Sequence, residues 1–230
     1  MKIHRFIIPD NLKADELEIH DKEIVWQIKN VLRLKLGEKI IVGDGKSQEA
    51  LAEITGIERS SVVLKVQSLQ ENDNESKNSV TLYCSVLKKE NFELVVQKAT
   101  EVGIKRIIPV ISERTIKLGL NQERLEKIAK EAAEQSGRGM VPIILEPISF
   151  EKAVANASMT GNNFLFDSSG EHIKETSFNG ESAIFIGPEG GWTNIELSLA
   201  KNNGFIIVSL GKLTLRAETA AIVASYLLTK

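Results

Sequence analysis

Beyond residue 80 the chain changes rhythm every few residues, and this alternation restricts its fold more than any other feature. Short apolar runs stand at Val80–Leu87, Lys105–Val110, Ile143–Leu145, Asn163–Phe166, Ser182–Ile186 and Phe205–Leu210. Between them apolar residues recur at helical spacing, over Asn91–Val102, Gln122–Ser136, Phe150–Ala157, Thr193–Asn202 and Arg216–Leu228. Several of the runs are apolar throughout, as strands are when helices cover both faces of their sheet. The pattern predicts an α/β domain on a mostly parallel sheet.

The first seventy residues follow another grammar. Ile3–Ile8 reads as a strand stopped by Pro9, and Lys39–Val42 runs into Asp44-Gly45, a hairpin signal. Glu49–Ile57 and Ser61–Val66 read as further strands. One helix interrupts them: behind a cap at Asp21, residues Ile24, Ile28, Val31 and Leu32 share a face. A small β-barrel with one helix is expected. Gln70–Ser79, QENDNESKNS, offers no apolar side chain to bury and reads as a linker. The expected organisation is therefore a barrel over 1–70, a linker over 71–79 and the α/β domain over 80–230.

Composition narrows the function classes. Cys84, the single cysteine, sits inside an apolar run without a partner for an intrachain disulfide, which suits a reducing cytoplasm. The start, Met1-Lys2-Ile3-His4-Arg5-Phe6, carries no apolar stretch of signal-peptide length, and no run is long enough for a membrane span. Net charge is −2, but residues 83–140 hold 11 basic against 8 acidic side chains, a surplus that permits a polyanionic partner without demanding one. His4, His20 and His172 are scattered, with no metal or triad spacing, so no metal is expected.

Three segments can carry chemistry. In Ile186-Gly187-Pro188-Glu189-Gly190-Gly191-Trp192-Thr193-Asn194-Ile195-Glu196 a buried strand runs through glycines into a helix, with Thr193 and Glu196 placed as a capping box. Glycines at a strand's C-terminal end let a ligand approach the backbone, and open α/β sheets bind ligands there. The segment matches neither phosphate-loop pattern, and a carboxylate at Glu189 would repel a phosphate. A cationic ligand such as S-adenosylmethionine suits it better; a plain strand-to-helix turn is the alternative. In Leu210–Ala221 a second strand end leads to a helix whose first turn holds Arg216 and Glu218. Glu218 suits the helix dipole and Arg216 opposes it, which points either to function or to a surface ion pair. In Ile128–Gly139 a helix runs out at Gln135 and Arg138, an ordinary glycine stop or, with Arg114 and Lys117, an RNA-facing patch. Asp167-Ser168-Ser169-Gly170 follows a strand and could touch a ligand or simply turn.

These blocks, in order, resemble the ribosomal RNA small subunit methyltransferase E family of the SPOUT class. The likeness rests on Val31-Leu32-Arg33 with Leu36-Gly37, Gln97–Gly103, Ser112-Glu113-Arg114, Glu131–Arg138 with Val141-Pro142, Ile186–Gly191 and Leu215–Ala220, and spans essentially the whole chain. It implies a PUA-like β-barrel that holds RNA, and a C-terminal α/β domain with a trefoil knot whose loops cup S-adenosylmethionine. Those loops correspond to Leu165-Phe166, to Ile186, Gly187, Pro188, Glu189, Gly190 and Gly191, and to Leu210, Gly211, Leu215 and Arg216. The resemblance further implies N3 methylation of a uridine in 16S ribosomal RNA by a cytoplasmic homodimer, without metal or membrane. Arg216, Glu189 and Arg138 are the expected catalytic residues, with Arg5, Arg33, Arg114, Lys117, Gln135 and Arg138 on RNA. Two departures stand out: Trp26-Gln27 where the family usually has a His pair, and Lys212-Leu213 where Pro-Arg is common.

Overall fold

The structure, a computed structural model, describes every residue except 1, 2, 9–11, 13, 14, 117, 118, 158, 160 and 174–179, so the expected RNA contact Lys117 lies outside the described residues. The chain divides into two units, residues 1–75 with 133–141, and residues 76–132 with 142–230.

The first unit is a five-stranded sheet in the order β1-β3-β4-β5-β2, made of β1 (His4–Ile7), β2 (Glu16–Ile19), β3 (Lys39–Gly43), β4 (Gln48–Ile57) and β5 (Val62–Glu71). Only β1 and β3 pair in parallel; the rest are antiparallel. Phe6, Ile19, Ile28, Ile40, Ile54 and Leu64 fill one core between the sheet and the helix α1 (Lys22–Trp26). Asp21 caps that helix, its Oδ1 accepting the backbone N–H groups of Glu23 and Ile24 at 2.9 and 3.0 Å. A π-helical turn, Gln27–Val31, follows at once. Its wider winding keeps Ile28 buried but turns Val31 outward, 53% exposed, although α-helical spacing had placed Val31 on the inner face.

The polar stretch after residue 70 stays exposed or half-buried over most of its length, but Asn72 and Glu75 within it are tied by hydrogen bonds. β5 runs to Glu71 and Asn72 is buried, its Nδ2 donating to Glu49 Oε2 at 2.8 Å and to the Gly137 carbonyl at 3.1 Å. Arg138 is buried too, paired through Nη2 with Glu75 Oε2 at 2.7 Å, while Glu75 Oε1 accepts the Met140 N–H at 3.1 Å. These bonds tie residues 133–141 onto the first unit as a strap.

The second unit alternates strand and helix as the sequence rhythm predicts: β6 (Ser79–Ser85), α2 (Lys89–Glu101), β7 (Arg106–Ile111), α3 (Gln122–Ser136), β8 (Ile143–Ile144), β9 (Ile148–Ser149), α4 (Phe150–Ala157), β10 (Asn162–His172), β11 (Glu181–Ile186), α5 (Asn194–Asn202), β12 (Ile206–Ser209) and α6 (Ala217–Thr229). The last residues of α3 count with the first unit. The sheet order is β12-β10-β11-β6-β7-β8, with β9 beside β7, and every pairing is parallel. Parallel pairing brings the C-terminal ends of β6, β11 and β12 to one edge of the sheet. Beneath that edge Tyr83 stacks on Phe185 at 4.4 Å, and Phe185 meets Phe205 edge-on at 4.9 Å, geometries that aromatic rings favour.

Candidate functional site

A crevice of about 740 Å³ opens at that edge, lined by Phe166, Asp167 and Ser168 within β10 and by residues at and after the ends of β6, β7, β11 and β12. This is where an open parallel sheet offers its strand ends and the N-termini of its helices to a ligand.

The floor is the segment after β11. Gly187 leaves little room for a side chain: a Cβ there would lie 3.1 Å from the Trp192 ring. That ring cannot easily give way, since Trp192 is buried, packs 4.9 Å from Phe150, and donates its Nε1–H to the Phe166 carbonyl at 3.1 Å. Gly191 turns the chain with φ +67°, and α5 begins under the capping box that the sequence predicts. Glu196, itself buried, accepts the Thr193 backbone N–H through Oε2 at 2.8 Å and the Glu113 N–H through Oε1 at 3.0 Å. The loop after β7 is thereby fixed to the loop after β11. Arg114 adds a second tie, its Nη1 donating to the Gly190 carbonyl at 2.6 Å and the Trp192 carbonyl at 3.4 Å.

The opposite wall comes from the segment after β12 and the start of α6. Gly211, at φ +127°, turns the strand end. Leu210, Gly211, Leu215 and Arg216 all line the crevice, with the Arg216 side chain exposed and making no cap bond to the helix. Glu218, in the first turn of α6, is buried at 8% exposure, and its Oε2 has no hydrogen-bond partner among the described residues. Behind both walls lies Cys84. Burial pushes its thiol up, and the Glu189 and Glu218 carboxylates push it further the same way. A neutral buried thiol is a core residue and no nucleophile.

The cofactor set expected from the sequence gathers here with one difference. Phe166, Ile186, Gly187, Pro188, Glu189, Gly190, Gly191, Leu210, Gly211, Leu215 and Arg216 line the crevice, whereas Leu165 is wholly buried in the core beneath. Leu165 packs instead in the cluster of Phe150, Phe185 and Trp192 below the crevice. Asp167 and Ser168 join the lining, as do Lys88, Asn91 and Trp192, which sequence reasoning passed over. Their signal was position: Lys88 and Asn91 follow the end of a parallel strand.

The expected RNA and catalytic residues scatter more widely. Arg114 is engaged with backbone carbonyls of the crevice loop. Arg138 belongs to the first unit, in its pair with Glu75. Arg5 pairs there with Glu49. Burial pushes the Glu49 carboxyl up, but hydrogen bonds from Asn72, Gln70 and Arg5 outweigh it and hold the group below the usual carboxylate range. Arg33 is exposed with φ +54°, and Gln135 is exposed at the end of α3.

A parallel α/β sheet with a glycine-lined crevice at its strand ends, joined to a small mostly antiparallel sheet, is the architecture of an RNA methyltransferase carrying a PUA domain. Residues 74–229 match the RNA methyltransferase domain family and residues 21–67 the RNA methyltransferase PUA domain family. Ribosomal RNA small subunit methyltransferase E of Rickettsia conorii is 34% identical over 97% of this chain and 94% of its own length. The Bacillus subtilis protein of that name is 30% identical over 88% of this chain and 85% of its own. Among solved structures, the Neisseria gonorrhoeae ribosomal RNA small subunit methyltransferase E bound to S-adenosyl methionine superposes with TM-score 0.89 at 33% identity, covering 97% of this chain and 95% of that one. The chain belongs to the ribosomal RNA small subunit methyltransferase E family.

Proposed function

We propose that this chain transfers the methyl group of S-adenosylmethionine to N3 of a uridine in 16S ribosomal RNA, working in the cytoplasm as a homodimer. The observation that supports the donor most directly is the charge layout of the crevice. Its cationic side chains, Lys88, Arg114 and Arg216, are exposed, whereas its buried charge is the carboxylate of Glu218. A polyphosphate would meet the reverse of what it needs, and a cationic donor meets an acceptor. The glycine floor and the volume suit a nucleoside-sized ligand. When bound, the sulfonium supplies an electrophilic methyl group and a neutral leaving group.

The residues of the chain do the rest. The ties from Arg114 and Glu196 hold the floor rigid, so little ordering is left to be done at binding. Loss of the N3 proton leaves negative charge on the flanking carbonyl oxygens of the uracil, and Arg216, exposed at the crevice, stabilises it. Glu189, exposed in the same crevice, is the carboxylate of the chain that can take up that N3 proton. The first unit handles RNA through exposed Arg33 and Gln135, with Arg5 and Arg138 shaping its surface through their ion pairs. Exposed Val223 and Tyr226 on α6 supply apolar surface for the homodimer. The trefoil knot that the family resemblance implies would run through Leu165-Phe166, Ile186–Gly191 and Leu210–Arg216.

An N3 methyl blocks the Watson–Crick edge, so reverse transcriptase halts one nucleotide before it. Small-subunit RNA from a strain lacking the gene, compared with wild type, loses one such stop, and the purified protein restores it with S-adenosylmethionine. No change in stops, with no labelled methyl entering the RNA, refutes the proposal.

A further inference from the structure

We infer that Glu218 is the charge-selecting residue of the crevice, making it prefer a cationic methyl donor over the neutral thioether left after transfer. The inference rests on the donor reading given above. Glu218 lines the crevice in the first turn of α6, a helix of 13 residues, yet its side chain is buried and its Oε2 has no hydrogen-bond partner among the described residues. A buried carboxylate oxygen without a partner is costly, and structures keep such atoms where a ligand completes them. The helix N-terminus offsets part of this cost, since its exposed N–H groups favour a negative charge nearby. It does not supply the missing partner.

Two further observations locate the charge. Glu218 and Glu189 both line the crevice, and both carboxylates are felt by the buried thiol of Cys84 near the end of β6. They differ in exposure: Glu189 stands in water, where its field is screened, and Glu218 does not. The buried carboxylate therefore dominates what a ligand feels inside. Arg216 is two residues before Glu218 but is exposed, and no ion pair joins them among the described residues. Selectivity follows from Coulomb's law: a ligand carrying a fixed positive charge gains from Glu218, and the same molecule without that charge does not.

Calorimetric titration of the full-length protein with S-adenosylmethionine and with S-adenosylhomocysteine tests this, because the pair differs by one methyl group and one charge. The quantity to read is the ratio of the two dissociation constants, neutral over cationic. Glu218→Gln keeps the side-chain shape and removes the charge, and it lowers that ratio on the order of tenfold. Glu189→Gln lowers it less, being exposed. Glu218→Asp keeps the charge but withdraws it by one methylene, and lowers the ratio by a smaller factor; it carries the test if the Gln variant does not fold. A ratio unchanged in the Glu218 variants, with both ligands weakened equally, overturns the inference and leaves a purely structural Glu218. Wild-type protein that binds neither ligand overturns the donor reading itself, a distinct result.

Discussion

Replacing Glu196 by Gln removes one acceptor from a place where each acceptor is in use. In the native site Oε2 takes the Thr193 N–H at 2.8 Å, and Oε1 takes the Glu113 N–H at 3.0 Å. A glutamine has one oxygen and one NH2 group, so either orientation turns a donor toward a backbone N–H. Glu196 is 5% exposed and water is poorly placed to repair the loss. Leaving one buried N–H without an acceptor costs about 1–3 kcal/mol. For a chain of this size that lowers the melting temperature by ~2–4 °C per kcal/mol. Trp192 gives a local reporter: the two tryptophans are Trp26, exposed in the first unit, and Trp192, buried in the second. In a Trp26→Phe background the thermal transition of Trp192 fluorescence reads the second unit alone. Glu196→Ala, which loses the capping box as well, melts lower still. If Glu196→Gln melts with wild type, and Ala no lower than Gln, the capping and loop ties do not stabilise the floor and the reasoning fails.

Other outcomes are equally specific. Arg114→Ala removes the ties to the carbonyls of Gly190 and Trp192, so donor affinity falls roughly 2–12-fold in calorimetry while RNA affinity in filter binding holds; the opposite pattern would restore Arg114 to the RNA surface. Gly187→Ala drives a methyl against the Trp192 ring and costs about 1–3 kcal/mol in denaturant unfolding; a cost near zero would mean that the ring moves aside. The folded-state pKa of Glu49 is held below its unfolded value, so its stabilising contribution is fully present above about pH 4.3 and is lost as pH falls through the lower folded value. Glu49→Gln flattens that acid limb for the first unit, read by Trp26 fluorescence in a Trp192→Phe background, and an unaltered limb would contradict it.

The sequence by itself determined the elements wherever a repeating pattern was long enough to be counted. The apolar spacing of Gln122–Ser136 and Phe150–Ala157 gave helices with those bounds, and Thr193 with Glu196 gave the cap of α5, because helical period and capping are local properties. The glycines after Ile186 marked the ligand edge for the same reason: the lack of a Cβ can be read without knowing the neighbours. Tertiary structure decided everything that depends on a distant partner. Gln70–Ser79 reads as a linker, and only the fold shows that its Asn72 and Glu75 meet Glu49, Gly137 and Arg138. The strand at β10 continues past Phe166 to His172 only because β12 lies alongside to accept it. Arg114 reads as a surface charge until the Gly190 carbonyl is beside it, and nothing along the chain marks Glu218, a helix-start residue, as buried. A polar side chain carries no mark of its partner: its energy is set by what the fold places within about 3 Å, and that is not written in its neighbours along the chain.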